Sequence, residues 1–355
     1  MTLPINSEDP ALTRLSGTLS VFLRHAPHTP LNFVLNSSQD LHCLGRLLGP
    51  SARSITTLSL GLKVPYKKMI PAGQLLMRSE FLGEFEQLQK LELGGHGIWK
   101  LGSLNPAMFQ ALRSLSIHDF ERERNALPFL SSLAPQLHEF ALSSSSFGSG
   151  STTLNFKFTV ARSITLCFED QTLHLRCALP ASLKSFSATA ACLNVVCTCN
   201  SRVSLDLLSL IGRSQLLVSS LPLPAAKFVY LNGPANGENQ SRGFPCSDLE
   251  SQRALTHLLS SLAPTVEMLV LRYSWPLEGV RVEWSRLRCV FIGIGRTGGI
   301  NHKYRPGDPQ DSAFWERLRA GKERGVSSST SGLCINAPKL ESFYDATELL
   351  KVFRN

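Results

Sequence analysis

The hexapeptide LSSLAP occurs twice in this chain, at Leu130–Pro135 and at Leu259–Pro264. The likeness extends to both sides. FLSSLAPQLHEFAL spans Phe129–Leu142, and LLSSLAPTVEMLVL spans Leu258–Leu271. Each copy reads as a helical apolar segment, an Ala-Pro stop, and then apolar residues at i, i+3 and i+5. In the first copy these are Leu137, Phe140 and Leu142; in the second they are Val266, Leu269 and Leu271. Proline has no N–H and disfavours the helical conformation in the residue before it, so a helix stops there and the chain leaves extended. Residues two apart, such as Phe140 and Leu142, then point to one face of a short strand. One helix and one short strand cannot bury their apolar faces alone, whereas stacked copies can.

The unit recurs. LLGPSARSITTLSL carries Pro50 and then Ile55, Leu58 and Leu60; ALPASLKSFSA carries Pro180, Leu183 and Phe186; NAPKLESFYDA carries Pro338, Leu340 and Phe343. Versions without the proline are LQKLEL (Leu88, Leu91, Leu93) and LRSLSI (Leu112, Leu115, Ile117). Weaker copies are ARSITLCF, SRVSLDLL, AAKFVYL and LRCVFI. The clearest copies stand roughly 20–27 residues apart, the range of leucine-rich repeats. Helices are expected between the strands. DPALTRLSGTLSVFLRHA puts Leu12, Leu15, Leu19 and Phe22 on one stripe, and SSQDLHCLGRLLGP puts Leu41, Leu44 and Leu48 on one face. In NPAMFQAL, Asn105 reads as an N-cap with Pro106 at the first helical position. DSAFWERLRAG reads as a helix starting at Asp311 or Ser312 and stopping at Gly321.

With these copies the chain resembles the leucine-rich-repeat family, and more closely the repeat region of fungal F-box-type proteins. There a leading helix and a strand like PLNFVLN (Pro30–Asn36) precede a rib like LLGPSARSITTLSL. The resemblance implies an α/β leucine-rich-repeat-like solenoid: an irregular horseshoe, with a parallel sheet on the concave face and helices on the convex face. It covers nearly the whole chain, read as a single solenoid domain over 1–355. It departs from the family in two places. The repeated asparagine that follows each family strand is replaced by His96, Phe120, Ser145 and Ser274. No recognisable F-box precedes the first repeat, so adaptor docking does not carry over.

Four stretches read as loop insertions: the Ser/Gly-rich 143–153, the polar 232–248, the Gly/Pro-rich 293–311, and 322–332. The nine cysteines are odd in number and irregularly spaced, which reads as reduced thiols rather than a disulfide scaffold. The opening MTLPINSEDPALTRL has no basic region followed by an apolar core, and no run approaches the length of a membrane span. The expectation is an intracellular protein, cytoplasmic or nuclear, with no membrane partner. A formal net charge of +9 is modest over 355 residues, and the cations are scattered apart from a mildly basic region from Arg281 to Arg324. Nucleic-acid binders concentrate such charge on one face.

Motifs with chemistry are few. Gly293-Ile-Gly295-Arg-Thr-Gly298 follows the apolar run CVFI and has the spacing of a pyrophosphate-binding turn. The context for it fails: Pro306, Gly307 and Pro309 preclude a helix directly afterwards, and no acidic residue ends a second strand downstream. Cys192, Cys197 and Cys199 in CLNVVCTCN lack the second ligand pair that structural zinc demands, and Cys197 and Cys199 alternate as residues of a strand do. No G-x-S-x-G, H-E-x-x-H or Walker A sequence is present, and the histidines are dispersed. The reading is therefore of a chain with no catalytic, cofactor or metal site: a non-enzymatic scaffold for a protein partner, with substrate recognition for ubiquitin ligation as the setting the resemblance implies. Two alternatives are a nucleotide-binding protein or enzyme built around the Gly293–Gly299 loop, and nucleic-acid binding through the basic surface. In a curved repeat the strand positions between the leucines form the recognition face. The partner-binding candidates are Lys90, Glu92, Arg113, His138, Arg162, Lys184, Lys227, Glu267 and Arg288. Their basic majority would steer an acidic protein or peptide.

Overall fold

The structure, a computed structural model, describes residues 2–3, 11–26, 29–35, 44–45, 47–62, 69–70, 85–95, 98–99, 101, 104–118, 126–144, 150–199, 203–218, 223–232, 249–272, 281–293, 334–336, 339 and 342–345. The fold is α/β, with a large parallel sheet of many strands and few helices. The chain divides into two compact units: Met1–Gly148 with Leu154–Asp170, and Ser149–Thr153 with Gln171–Asn355.

In the first unit the strands are β1 (Thr2–Leu3), β2 (Leu31–Leu35), β3 (Thr57–Leu62), β4 (Met69–Ile70), β5 (Lys90–Gly95), β6 (Ile98–Trp99), β7 (Ser114–Ile117) and β8 (Glu139–Ser144). The main sheet runs β1-β2-β3-β5-β7-β8, and β8 pairs in parallel with the first part of β10 (Ser163–Leu179). β4 and β6 form a separate pair. The register lines up the repeat residues across the sheet. One row is Leu31, Leu58, Leu91, Leu115, Phe140 and Ile164; the next is Phe33, Leu60, Leu93, Ile117, Leu142 and Leu166. Every side chain in both rows is buried. Phe140 anchors an aromatic cluster: its ring centroid lies 5.3 Å from Phe156 and 5.6 Å from Phe158. The second unit repeats the device in β11 (Ser185–Cys199), β12 (Ser204–Val218), β13 (Ala225–Asn232), β14 (Met268–Arg272), β16 (Cys289–Gly293) and β18 (Ser342–Asp345). There the register aligns Phe186, Leu208, Val229, Leu269, Val290 and Phe343. β15 (Arg281–Glu283) pairs separately with β17 (Cys334–Asn336).

Five strands are led in by the same short turn. The backbone N–H of Ile55, Leu88, Leu112, Leu137 and Leu183 donates to the carbonyl three residues earlier. This is the i→i+3 bond of a single 3-10 turn. The residues that open four of these turns, Ala52, Phe85, Phe109 and Ala134, are all buried. The next N–H in each copy then bonds to the copy before. Gln89 donates to Thr56, Arg113 to Gln89, His138 to Arg113 and Arg162 to His138; in the second unit Asp206 donates to Lys184, Glu267 to Lys227 and Arg288 to Glu267.

The two LSSLAP copies fold alike. Each ends a helix (Ala126–Leu133 and Leu249–Leu262) and leads through a turn into a strand, β8 or β14. Ser132 and Ser261 turn their hydroxyls back onto the helix carbonyls of Pro128 and Leu258. The carbonyl after each proline's ring accepts a hydroxyl from further along the chain: Pro135 from Thr159, and Pro264 from Ser285. Gln136 adds a bond from Nε2 to the Phe109 carbonyl at 2.6 Å. His96, Phe120, Ser145 and Ser274 lie outside the described residues.

Three expectations need correction. The sequence leads one to expect helices between the strands; the described residues from Ser151 to Val218 contain none. The reason is periodicity. In β9 (Ser151–Lys157), Thr152, Leu154 and Phe156 are buried and every intervening residue is exposed, the alternation of a strand. The stretch 143–153 was expected as a loop, but Ser143 and Ser144 close β8 and Ser151 opens β9. In the helix Ala11–His25 the buried stripe is Ser16, Leu19 and Leu23, while Leu15 and Phe22 face solvent at 36% and 46% exposure. The apolar arc is wider than the buried one, and packing selects its other edge. Asn105 does cap the short helix Pro106–Phe109, its Oδ1 accepting from the Ala107 N–H at 3.0 Å. The helix expected at 311–321 and the loops at 233–248, 294–311 and 322–332 lie outside the described residues.

Strand length forces one more feature. β11 and β12 each have 15 residues and pair in parallel, yet only four residues separate Cys199 from Ser204. A straight strand of that length spans about 50 Å at ~3.3 Å per residue. A four-residue link reaches at most about 18 Å, so it cannot return the chain to the start of a straight partner. Each strand must double back within itself. The pairing of β11 with β12 shifts register between Ala190 and Cys192, and Ala188 and Leu193 on either side of the shift are both buried.

Phe140→Ala should lower stability by about 3–5 kcal/mol, because a buried ring with two aromatic neighbours leaves a cavity. Val160→Ala, on an exposed side chain, should stay within about 0.5 kcal/mol. Urea denaturation followed by tryptophan fluorescence and circular dichroism measures both.

Candidate functional site

The alternation that buries the leucine rows puts their neighbours on the opposite face of the sheet. In the first unit the register gives a row Thr57, Lys90, Ser114, Glu139 and Ser163, and a second row Asn32, Ser59, Glu92, Ser116, Ala141 and Thr165. None of these side chains is buried. They are short apart from Lys90, Glu92 and Glu139, so the backbone of this face is closely approachable. Side-chain hydrogen bonds run along and across it. Ser114 Oγ donates to Glu139 Oε2 at 2.9 Å. The His118 ring lies between two hydroxyls, Nε2 at 3.2 Å from Ser116 Oγ and Nδ1 at 3.3 Å from Ser143 Oγ. Gly94 makes room for that ring: a Cβ there would lie 3.3 Å from His118 Cδ2, tighter than ordinary packing.

The corresponding face of the second unit is more deeply buried along its central row: Ser187, Ser209, Tyr230 and Val270 are all buried. Ile211, Tyr230 and Val270 form a small apolar cluster with Met268 packed against it. The row beside it, Ser185, Leu207, Phe228, Met268 and Cys289, is half-buried.

Of the nine residues selected from the sequence, Lys90 and Glu92 lie on the open face, on β5. The other seven sit one position before that face's first row. In the first unit Arg113, His138 and Arg162 are joined in a column by the backbone bonds above. Arg113 also donates from Nη1 to the carbonyls of Gln110 and Leu112, so its guanidinium closes the preceding short turn. In the second unit Lys184, Lys227, Glu267 and Arg288 form the equivalent column, with Asp206 inserted between Lys184 and Lys227. Lys227 Nζ lies 3.0 Å from Asp206 Oδ1, with both side chains about half exposed at 51% and 54%. The column thus alternates Lys, Asp, Lys, Glu, Arg instead of forming the basic ribbon anticipated.

The sequence reading missed Ser114, Ser116, His118, Glu139, Ser143 and Asp206. The signal for most of them was present. In each L-x-L, the residue between the two apolar positions, and the one before the first, occupy the outward face. Apart from Lys90 and Glu92, the residues selected stand two before the first apolar position.

Among the described residues no group of three or more His, Cys, Asp or Glu could hold a metal ion. Gly293 closes β16, and the remainder of the Gly293–Gly299 motif lies outside the described residues. No helix among the described residues is long and apolar enough to cross a membrane. Comparison with family models, with curated proteins and with solved structures found no match.

The Lys227–Asp206 pair should couple by about 0.2–1 kcal/mol in a double-mutant cycle at low salt, the range of exposed ion pairs. The coupling should shrink as sodium chloride is added. Denaturation midpoints of Lys227→Ala, Asp206→Ala and the double variant measure it.

Proposed function

We propose that the chain is a leucine-rich-repeat-like α/β solenoid, and that it serves as a non-enzymatic scaffold holding a protein partner on the open sheet face of its first unit. The recurring lead-in turn, the in-register apolar rows and the doubled-back strands support the repeat reading. Each describes a rib that cannot bury its apolar side without the next one. The observation that carries the functional reading is the contrast between faces: the first unit leaves the face opposite its leucine rows unburied and largely polar, and the second buries the central row of its own. Short side chains and a few charges offer a partner backbone contacts with charge selectivity at Lys90, Glu92 and Glu139. Substrate recognition for ubiquitin ligation is the setting we propose from the F-box resemblance. The alternating signs of the second unit's column weigh against nucleic acid, which favours clustered cations.

The test uses the full chain as affinity bait, comparing wild type with the double charge reversal Lys90→Glu/Glu92→Lys. Proteins bound by wild type should fall at least tenfold with the reversal, while thermal unfolding stays unchanged. They should be retained by Lys227→Ala. Equal recovery by wild type and the reversal would overturn the proposed face. Ubiquitin-pathway proteins among those recovered would support the ligase setting, and their consistent absence would remove it.

A further inference from the structure

The second unit holds two thiols in direct contact. Cys177 on β10 and Cys197 on β11 lie with their sulfurs 3.5 Å apart, both nearly fully buried at 4% and 5% exposure. β10 and β11 are neighbours in the sheet. Neighbouring strands stand about 4.8 Å apart, inside the Cα separation that a disulfide spans, roughly 4.4–6.8 Å. Bond formation then needs the sulfurs to close to about 2.05 Å, which rotation of the two side chains can supply without moving a strand. Cys177 stands two residues before the end of β10, and Cys197 two before the end of β11. Strand ends open more readily than strand centres, which gives a small oxidant access to buried sulfur.

We propose that Cys177 and Cys197 are a peroxide-responsive pair that closes to a disulfide linking β10 to β11. The oxidant is hydrogen peroxide. One sulfur, as its thiolate, attacks a peroxide oxygen. The O–O bond breaks, and the products are a sulfenic acid and hydroxide, which takes up the proton the thiol released and leaves as water. The second thiol attacks the sulfenic sulfur, the S–O bond breaks, and the hydroxyl leaves with the second thiol's proton as water. In sum, two thiols and one peroxide give one disulfide and two waters. The bridge joins chain segments that lie side by side and removes freedom from the unfolded chain, so the oxidised form is the more heat-stable.

The full-length protein, fully reduced and then treated with hydrogen peroxide, should become lighter by two hydrogen atoms. Peptide mapping without reductant should find Cys177 joined to Cys197, dithiothreitol should reverse the change, and the oxidised form should unfold at a higher temperature. Cys192→Ser should leave the product intact, and Cys197→Ser should abolish it. Mapping of the wild-type product needs no variant to fold. Both cysteines remaining alkylatable after oxidation, or bridges only to other cysteines, would overturn the proposal.

Discussion

The structure depends on one constraint: neighbouring strands of the main sheet run parallel. Parallel pairing obliges the chain to return to the start of the sheet after every strand. The tight turn before Ile55, Leu88, Leu112, Leu137 and Leu183 solves the last step of that return in the same way each time. It satisfies one backbone donor locally and presents the next to the preceding copy, so each copy fixes the register of the following one. With register fixed, the period of two places every repeat leucine on one side. A single-residue slip would move the whole apolar set to the other face, and the rows of buried Leu, Ile and Phe make such a slip costly.

What travels back behind the strands is less constrained. In the two LSSLAP copies it is a helix stopped by Ala-Pro. In the region of β9 to β12 it is extended chain with alternating burial. Both solutions bury one apolar side. The extended solution has a second consequence. It brings side chains of successive copies into contact in a ladder, which is how Cys177 and Cys197 meet, and how Thr152 and Gln171 meet through a buried hydrogen bond of 2.9 Å. The two faces of the sheet also part in character. The first unit leaves its polar face open, with His118 resting over Gly94 between two serines. The second buries Ser209, Tyr230 and Val270 on the equivalent face. A face made of short polar side chains suits recognition of a partner, and a buried one suits stability.

The sequence by itself determined the rows. Leu91, Leu115, Phe140 and Leu269 could be assigned to aligned strands because apolar spacing is a local property that survives any arrangement of the rest. The Ala-Pro stops and the Asn105 cap were legible for the same reason, since a missing N–H and a side-chain acceptor act within a few residues. The arc of the first helix was legible only as an arc; whether Leu15 or Leu23 lay inside depended on what it packed against. Tertiary structure alone decided three things. It set which x of each L-x-L met solvent, because that depends on where the lead-in turn ends and the strand begins. It made the segments after β8 and within β10 to β12 extended, because a short alternating run such as STTLNFK gains its hydrogen bonds only from a neighbour. It also brought together residues far apart in sequence, Asp206 with Lys227 and Cys177 with Cys197, since register across strands is written in backbone hydrogen bonds and not in any one stretch of chain.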